Sequence, residues 1–154
     1  MRYEKVQTGW IIIIIFSIII CSLTISYLTK IGTKPISFMI YMISTAILVL
    51  VLLMFYRLKV RVDKLGIHII YGIGLVHIII KPEKINHVKI VKIPFSSGLG
   101  IRITEKGMLY NIQGRDTVEI SFLKGKSKIV QIGSNDAFAL KAFIEKKYNV
   151  NQPL

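Results

Sequence analysis

Two runs near the start of this chain, residues 10–28 and 36–56, are apolar throughout and contain no Asp, Glu, Lys, Arg or His. At about 1.5 Å per residue, a helix of roughly 20 residues matches the ~30 Å hydrocarbon slab of a bilayer. Hydrocarbon offers a backbone no outside hydrogen-bond partner, so helix is forced even on Ile- and Val-rich segments that are poor helix formers in water. The sequence therefore predicts two transmembrane helices. Thr29-Lys30-Ile31-Gly32-Thr33-Lys34-Pro35 between them is a short polar connector with breakers at Gly32 and Pro35, which makes the pair an antiparallel hairpin with both chain ends on one side.

The remaining residues, 57–154, suffice for one further domain. The 53% hydrophobic content belongs mainly to the spans. The single cysteine, Cys21, lies inside the first span, so no intrachain disulfide can staple the fold. No Ala-x-Ala-like site follows Cys21, and Ile20 is too bulky for a lipoprotein cleavage box, so residues 10–28 are expected to remain as a span and not to be removed as a signal peptide.

Charge sets the orientation. Arg2, Lys5, Arg57, Lys59, Arg61 and Lys64 flank the hairpin on one side against Lys30 and Lys34 in the connector, and the positive-inside rule places the larger group, with both termini, in the cytoplasm. From residue 57 onward, 17 Lys/Arg stand against 7 Asp/Glu, a net +10. Such an excess favours anionic surfaces. With the bilayer adjacent, anionic lipid headgroups are the expected partner, with a membrane protein as the other choice; no nucleic-acid motif is present, and nucleic acid is not expected.

Residues 57–148 read as short strands closed by one helix. Arg57, Lys59 and Arg61 alternate with Leu58, Val60 and Val62, putting three cations on one strand face. Asp63-Lys64-Leu65-Gly66 is a turn, and 67–71 is the return strand. Gly72-Ile73-Gly74 is a second turn and not a phosphate loop, because it joins two strand-like runs and lacks the third glycine of a dinucleotide fingerprint. Further strands are expected over 75–80, 87–93, 99–104, 108–112, 117–122 and 128–132, with turns at 81–84, 96–98, 105–107, 113–116 and 124–126. The spacing of Lys89 and Lys92 by three predicts a bulge there. Ala137, Leu140, Ile144 and Tyr148, with Phe143 beside them, recur at helical spacing. Ser134 or Asn135 is the expected cap, Asp136 falls in the first turn, and Lys146 and Lys147 suit the last.

The fold class expected is α+β: a transmembrane hairpin over 1–56, then a small curved sheet or open barrel of about seven strands, capped by the C-terminal helix, over 57–154. This order resembles a pleckstrin-homology (PH) fold. Gly98-Leu99-Gly100-Ile101-Arg102, Tyr110-Asn111-Ile112, Gly114-Arg115-Asp116-Thr117-Val118-Glu119-Ile120 and Ile132-Gly133-Ser134-Asn135-Asp136 are similar to the motif series of bacterial sublancin-immunity-type PH-like domains. The resemblance implies a cytoplasmic PH-like domain held at the membrane, with immunity against a secreted bacteriocin as the activity.

No arrangement points to catalysis, a cofactor or a metal. His68, His77 and His87 have no cysteine near them in the domain, and His68 and His77 read as ordinary polar residues on strand faces. Asp116 and Glu119, three apart across a turn and strand, do not converge as an acid/base pair, and with Arg115 they read as a local cluster setting the turn. The candidate lipid- or partner-binding residues are Arg57, Lys59, Arg61, Lys64, Lys89 and Lys92. A non-enzymatic membrane-anchored binding module is the expected function, with a scaffold subunit of a membrane complex as the alternative.

Overall fold

A computed structural model describes residues 3–30, 35–81, 85–94, 99–105, 107–122 and 129–150. The expectations for Arg2, for the connector at Gly32 and Lys34, and for the turns at 82–84, 96–98, Lys106 and 124–126 lie outside the described residues.

The apolar runs form α1 (Trp10–Thr29) and α2 (Phe38–Phe55), each long and apolar enough to cross a membrane. Only Ile12 of α1 and no residue of α2 is buried, so neither serves as the core helix of the lobe. They pack on one another through Thr24, Tyr27 and Tyr41: the Tyr27 and Tyr41 rings stack at 4.6 Å, and the Thr24 hydroxyl lies 3.3 Å from the Tyr41 hydroxyl. Thr24 and Thr29 also donate to the carbonyls of Ile20 and Ile25, which satisfies hydroxyls that hydrocarbon would leave unpaired.

The boundary expected at residue 56 does not separate helices from sheet. Tyr3–Thr8 forms a strand, β1, which pairs antiparallel with β2 (Arg57–Asp63) from Thr8↔Arg57 to Tyr3↔Val62. The helical hairpin is thus inserted between two neighbouring strands, and the Gly9 N–H closes the junction on the Tyr56 carbonyl at 2.8 Å. β3 (Gly66–Tyr71) and β4 (Val76–Ile80) complete a four-stranded antiparallel sheet in the order β1-β2-β3-β4.

A second sheet of five strands has the order β5-β8-β9-β7-β6, from β5 (Ile85–Lys92), β6 (Gly100–Thr104), β7 (Gly107–Asn111), β8 (Asp116–Phe122) and β9 (Ile129–Gly133). β7 and β9 pair in parallel, which puts β9 between β8 and β7. Nine strands are therefore present among the described residues, eight of them within 57–154, where about seven were expected, and β1 outside it. The sheets do not close into a barrel, because β5 takes β8 and not β4 as its ladder partner. The irregularity expected near Lys89 and Lys92 lies instead between Ile85 and His87, after which β5 pairs regularly.

Alternation on β2 and β3 sends Leu58, Val60, Val62, Ile67, Ile69 and Tyr71 into one core with Val88, Val118, Ile120 and Ile132 of the second sheet and Ile112 just after β7. The final helix, α3 (Ala137–Tyr148), packs on β5 and β8 and adds Ala137, Leu140 and Ile144. Its cap is Asp136, whose carboxylate accepts from the Ala139 N–H; Ser134 is one step out, accepting from the Asp136 N–H. Across the sheets, the buried Gln7 side chain donates to the Gly133 carbonyl at 2.8 Å.

Candidate functional site

The six basic residues singled out in the sequence do not form one site. β2 runs about 20 Å from Arg57 beside the spans to Asp63 at the far turn, at roughly 3.3 Å per residue, so Lys64 stands at the end of the strand remote from α2. Arg57 donates from Nε to the Gly72 carbonyl at 2.8 Å and lies 5.3 Å from the centre of the Tyr56 ring. Lys59 pairs with Glu4 of β1, and Arg61 with Asp63 at 2.7 Å. Lys89 pairs with Glu119 at 3.0 Å. Lys64 borders a cleft with Phe143, Lys146 and Lys147. Lys92 borders another with Pro94, Thr104, Glu105 and Gln131; Lys89 and Lys92, three apart on a regular strand, face opposite ways.

Pairing changes what this basic face can offer. Lys59, Arg61 and Lys89 each have a carboxylate of this chain in contact, and these internal partners compete with any headgroup. Lys89 is structural as well: Lys89, Glu119 and Gln131 stand opposite one another across β5, β8 and β9, and Gln131 donates to the Glu119 carboxylate at 2.7 Å. Glu119 is only 4% exposed, so its charge depends on such partners. Replacing Lys89 by Met should lower stability by about 1 kcal/mol, checked by thermal melting. An unchanged melting temperature would show that the Lys89–Glu119 pair does not hold β5 to β8.

The structure also gathers a polar cluster that the sequence reading dispersed. His68 Nε2 is 3.1 Å from the Asp63 carboxylate, and His68 Nδ1 is 3.0 Å from His77 Nε2. The Leu65 N–H donates to the same carboxylate at 2.9 Å, and the Tyr148 hydroxyl to the Asp63 carbonyl at 3.0 Å. The signal was available in the turn: with 72–75 as the loop, Ile70 faces His77, which puts His68 and His77 diagonally on one face. Arg115, by contrast, donates to the Ile93 carbonyl, and so ties the β8 entry to the end of β5.

Burial works against the charge on Asp63, but the hydrogen bonds from Leu65 and His68 and the nearby charges of His68 and Arg61 outweigh it and hold its pKa below the ordinary carboxylate value. A lowered folded-state pKa gives stability that is present above the unfolded value, about 4, and lost as pH falls through the folded one. The lobe should therefore lose stability on acidification below about pH 4, and Asp63→Asn should flatten that limb of the stability profile; an unchanged acid limb would show that Asp63 is not its source.

At the other end of the lobe, its backbone meets the spans directly. The last carbonyls of a helix lack intrahelical donors; here the Ile73 N–H donates to the Leu53 carbonyl at 3.2 Å, and the Gly9 N–H to that of Tyr56. The Trp10 N–H in turn donates to the Gln113 side chain at 3.1 Å. The arrangement joins a β-rich lobe through backbone hydrogen bonds to a pair of helices long and apolar enough to cross a membrane. No family model matches the chain, and no curated protein and no solved structure matches it either.

Proposed function

We propose that this chain is a membrane-anchored, non-enzymatic binding module, held by two spans with its lobe and both termini on the cytoplasmic side. The observation that carries the reading is the insertion of α1 and α2 between adjacent strands, with Thr8 opposite Arg57. Both helices must then leave the lobe at one end, and the charge count across the hairpin gives that end to the inner face. A PH-like activity of the sublancin-immunity kind fits this position: a lobe fixed against the inner leaflet would shield or sequester a membrane target of the bacteriocin. Expression in a sensitive bacterium should raise tolerance; unchanged killing with the protein verified in the membrane would remove immunity.

A scaffold role in a membrane complex is the second reading, favoured by one observation. Three of the six candidate cations are paired within the chain, while Ile103 and Phe138 of the lobe are among its most exposed apolar side chains. A partner held by apolar contact should co-purify from native membranes through high salt, whereas attachment through charge would be screened away.

A further inference from the structure

The lobe meets the two apolar helices in two places, once at the end of α2 and once along the sides of both. The hydrogen bond from Ile73 to the Leu53 carbonyl takes the place the residue 57 N–H would hold in a continued helix, so the β3–β4 turn caps the C-terminal end of α2 at the level of Tyr56 and Arg57. Ile73 and Leu75 on that turn are 54% and 61% exposed. In the second place, Leu99, Gly100 and Ile101 at the start of β6 wall a cleft of about 320 Å³ with Ile12 and Phe16 of α1 and Val51 and Phe55 of α2. Phe16 is six residues into α1 from Trp10, roughly 9 Å along its axis.

We propose that this side of the lobe is itself a lipid-insertion surface: the β3–β4 turn and the start of β6 enter the acyl boundary, and the cleft beside α1 and α2 receives an acyl chain of the surrounding bilayer. The inference rests on the membrane-anchored reading. The cleft is walled by α1, α2 and the start of β6, none of its walls carries a charged side chain, and beside two spans the available solvent is hydrocarbon. Ile73 and Leu75 gain by leaving water for the same reason.

Several backbone groups that insertion would bury already have partners. Non-helical backbone is tolerated at membrane depth only where its polar groups are paired. In the turn, the Gly72 N–H donates to Arg57, Ile73 to Leu53 and Gly74 to Tyr71, while the Gly72 carbonyl accepts from Arg57 Nε. At β6, the Gly100 carbonyl accepts from the Tyr71 hydroxyl at 3.3 Å. Arg57 and Trp10 then stand where interfacial cations and indoles are found.

The chain has a single tryptophan, Trp10, which provides an internal reference. The full chain would be reconstituted into vesicles whose phospholipids carry bromine in the upper acyl chain, and quenching of tryptophan emission measured. In a Trp10→Phe background, Ile73→Trp, Leu75→Trp and Leu99→Trp should each be quenched within a factor of about two of native Trp10, as expected of side chains inserted some 5–10 Å. Leu65→Trp, at the exposed far turn, should stay unquenched. Native Trp10 quenched while positions 73 and 75 behave like position 65 would overturn the proposal and leave the anchor standing. Position 99 unquenched beside quenched 73 and 75 would overturn the cleft. Native Trp10 unquenched would overturn the anchored reading itself. Ile73 and Leu75 are exposed, so these two variants should fold even where Leu99→Trp does not.

Discussion

Gly72→Ala should detach the lobe from the end of α2 and lower stability by on the order of 3 kcal/mol, the sum of a strained backbone and an overpacked contact. Gly72 has φ of +53°, a conformation that side chains other than glycine disfavour. A Cβ there would also overlap the carbonyl oxygens of Leu53 and Met54. Neither is the far end of a flexible side chain, so the turn must move. Moving it breaks the Ile73-to-Leu53 hydrogen bond and the Arg57 contact with the Gly72 carbonyl. Limited proteolysis in mild detergent should show the variant lobe cut near residues 71–76 under conditions where the parent resists. Gly74→Ala is the control: its φ is also positive, at +102°, but the nearest atom to an added Cβ is a side-chain methyl of Ile70 at 3.9 Å. A Gly72→Ala lobe as resistant as the Gly74→Ala lobe would mean that contact with the span does not hold the turn.

Leu140→Ala should cost about 2–5 kcal/mol, the range for truncating a buried leucine and leaving a cavity. Leu140 is fully buried where α3 packs on the sheets, in one cluster with Ile144, Val88, Val118 and Ile120. The loss should appear as a lower melting temperature of the lobe, with α1 and α2 still inserted. Phe138→Ala, two residues earlier on the exposed face of the same helix, should change stability by less than about 0.5 kcal/mol. Equal effects from the two would contradict the packing described for α3.

What could be read from sequence was whatever depends on neighbours in the chain. The two long apolar helices followed from uncharged runs, the hairpin turns from Asp63 to Gly66 and around Gly72, and α3 from Ala137, Leu140 and Ile144 at helical spacing. β1 was missed because its pattern runs against the usual signal. Val6 faces outward and Gln7 is buried, since the Gln7 amide has a partner, the Gly133 carbonyl, 126 residues away. Glu119, which in sequence reads with Arg115 and Asp116 as a cluster setting the turn, is buried for the same reason; the strands on either side supply Lys89 and Gln131 and cover it.

The parallel pairing of β7 with β9 left no local trace. The length of the connection between strands does not reveal that β9 passes between β8 and β7, nor that β5 pairs with β8 and not β4, which is what keeps the two sheets from closing into a barrel. For the candidate site, the alternation of Arg57, Lys59 and Arg61 was legible, but their availability was not. Glu4 lies before both spans in the chain, yet reaches Lys59 through the β1–β2 ladder. His68 and His77 came together through register, which a count along the chain treats as two separate residues.

Opposite-side labelling tests the two-span arrangement most directly. In a Cys21→Ser background, single cysteines at Ser37, which caps α2 beside the connector, and at Leu65, 73% exposed on the far turn of the lobe, would be treated in intact cells with a membrane-impermeant maleimide. The account predicts that the cysteine at position 37 reacts in intact cells and the one at position 65 only after permeabilisation. Reaction of both from the same side would contradict it.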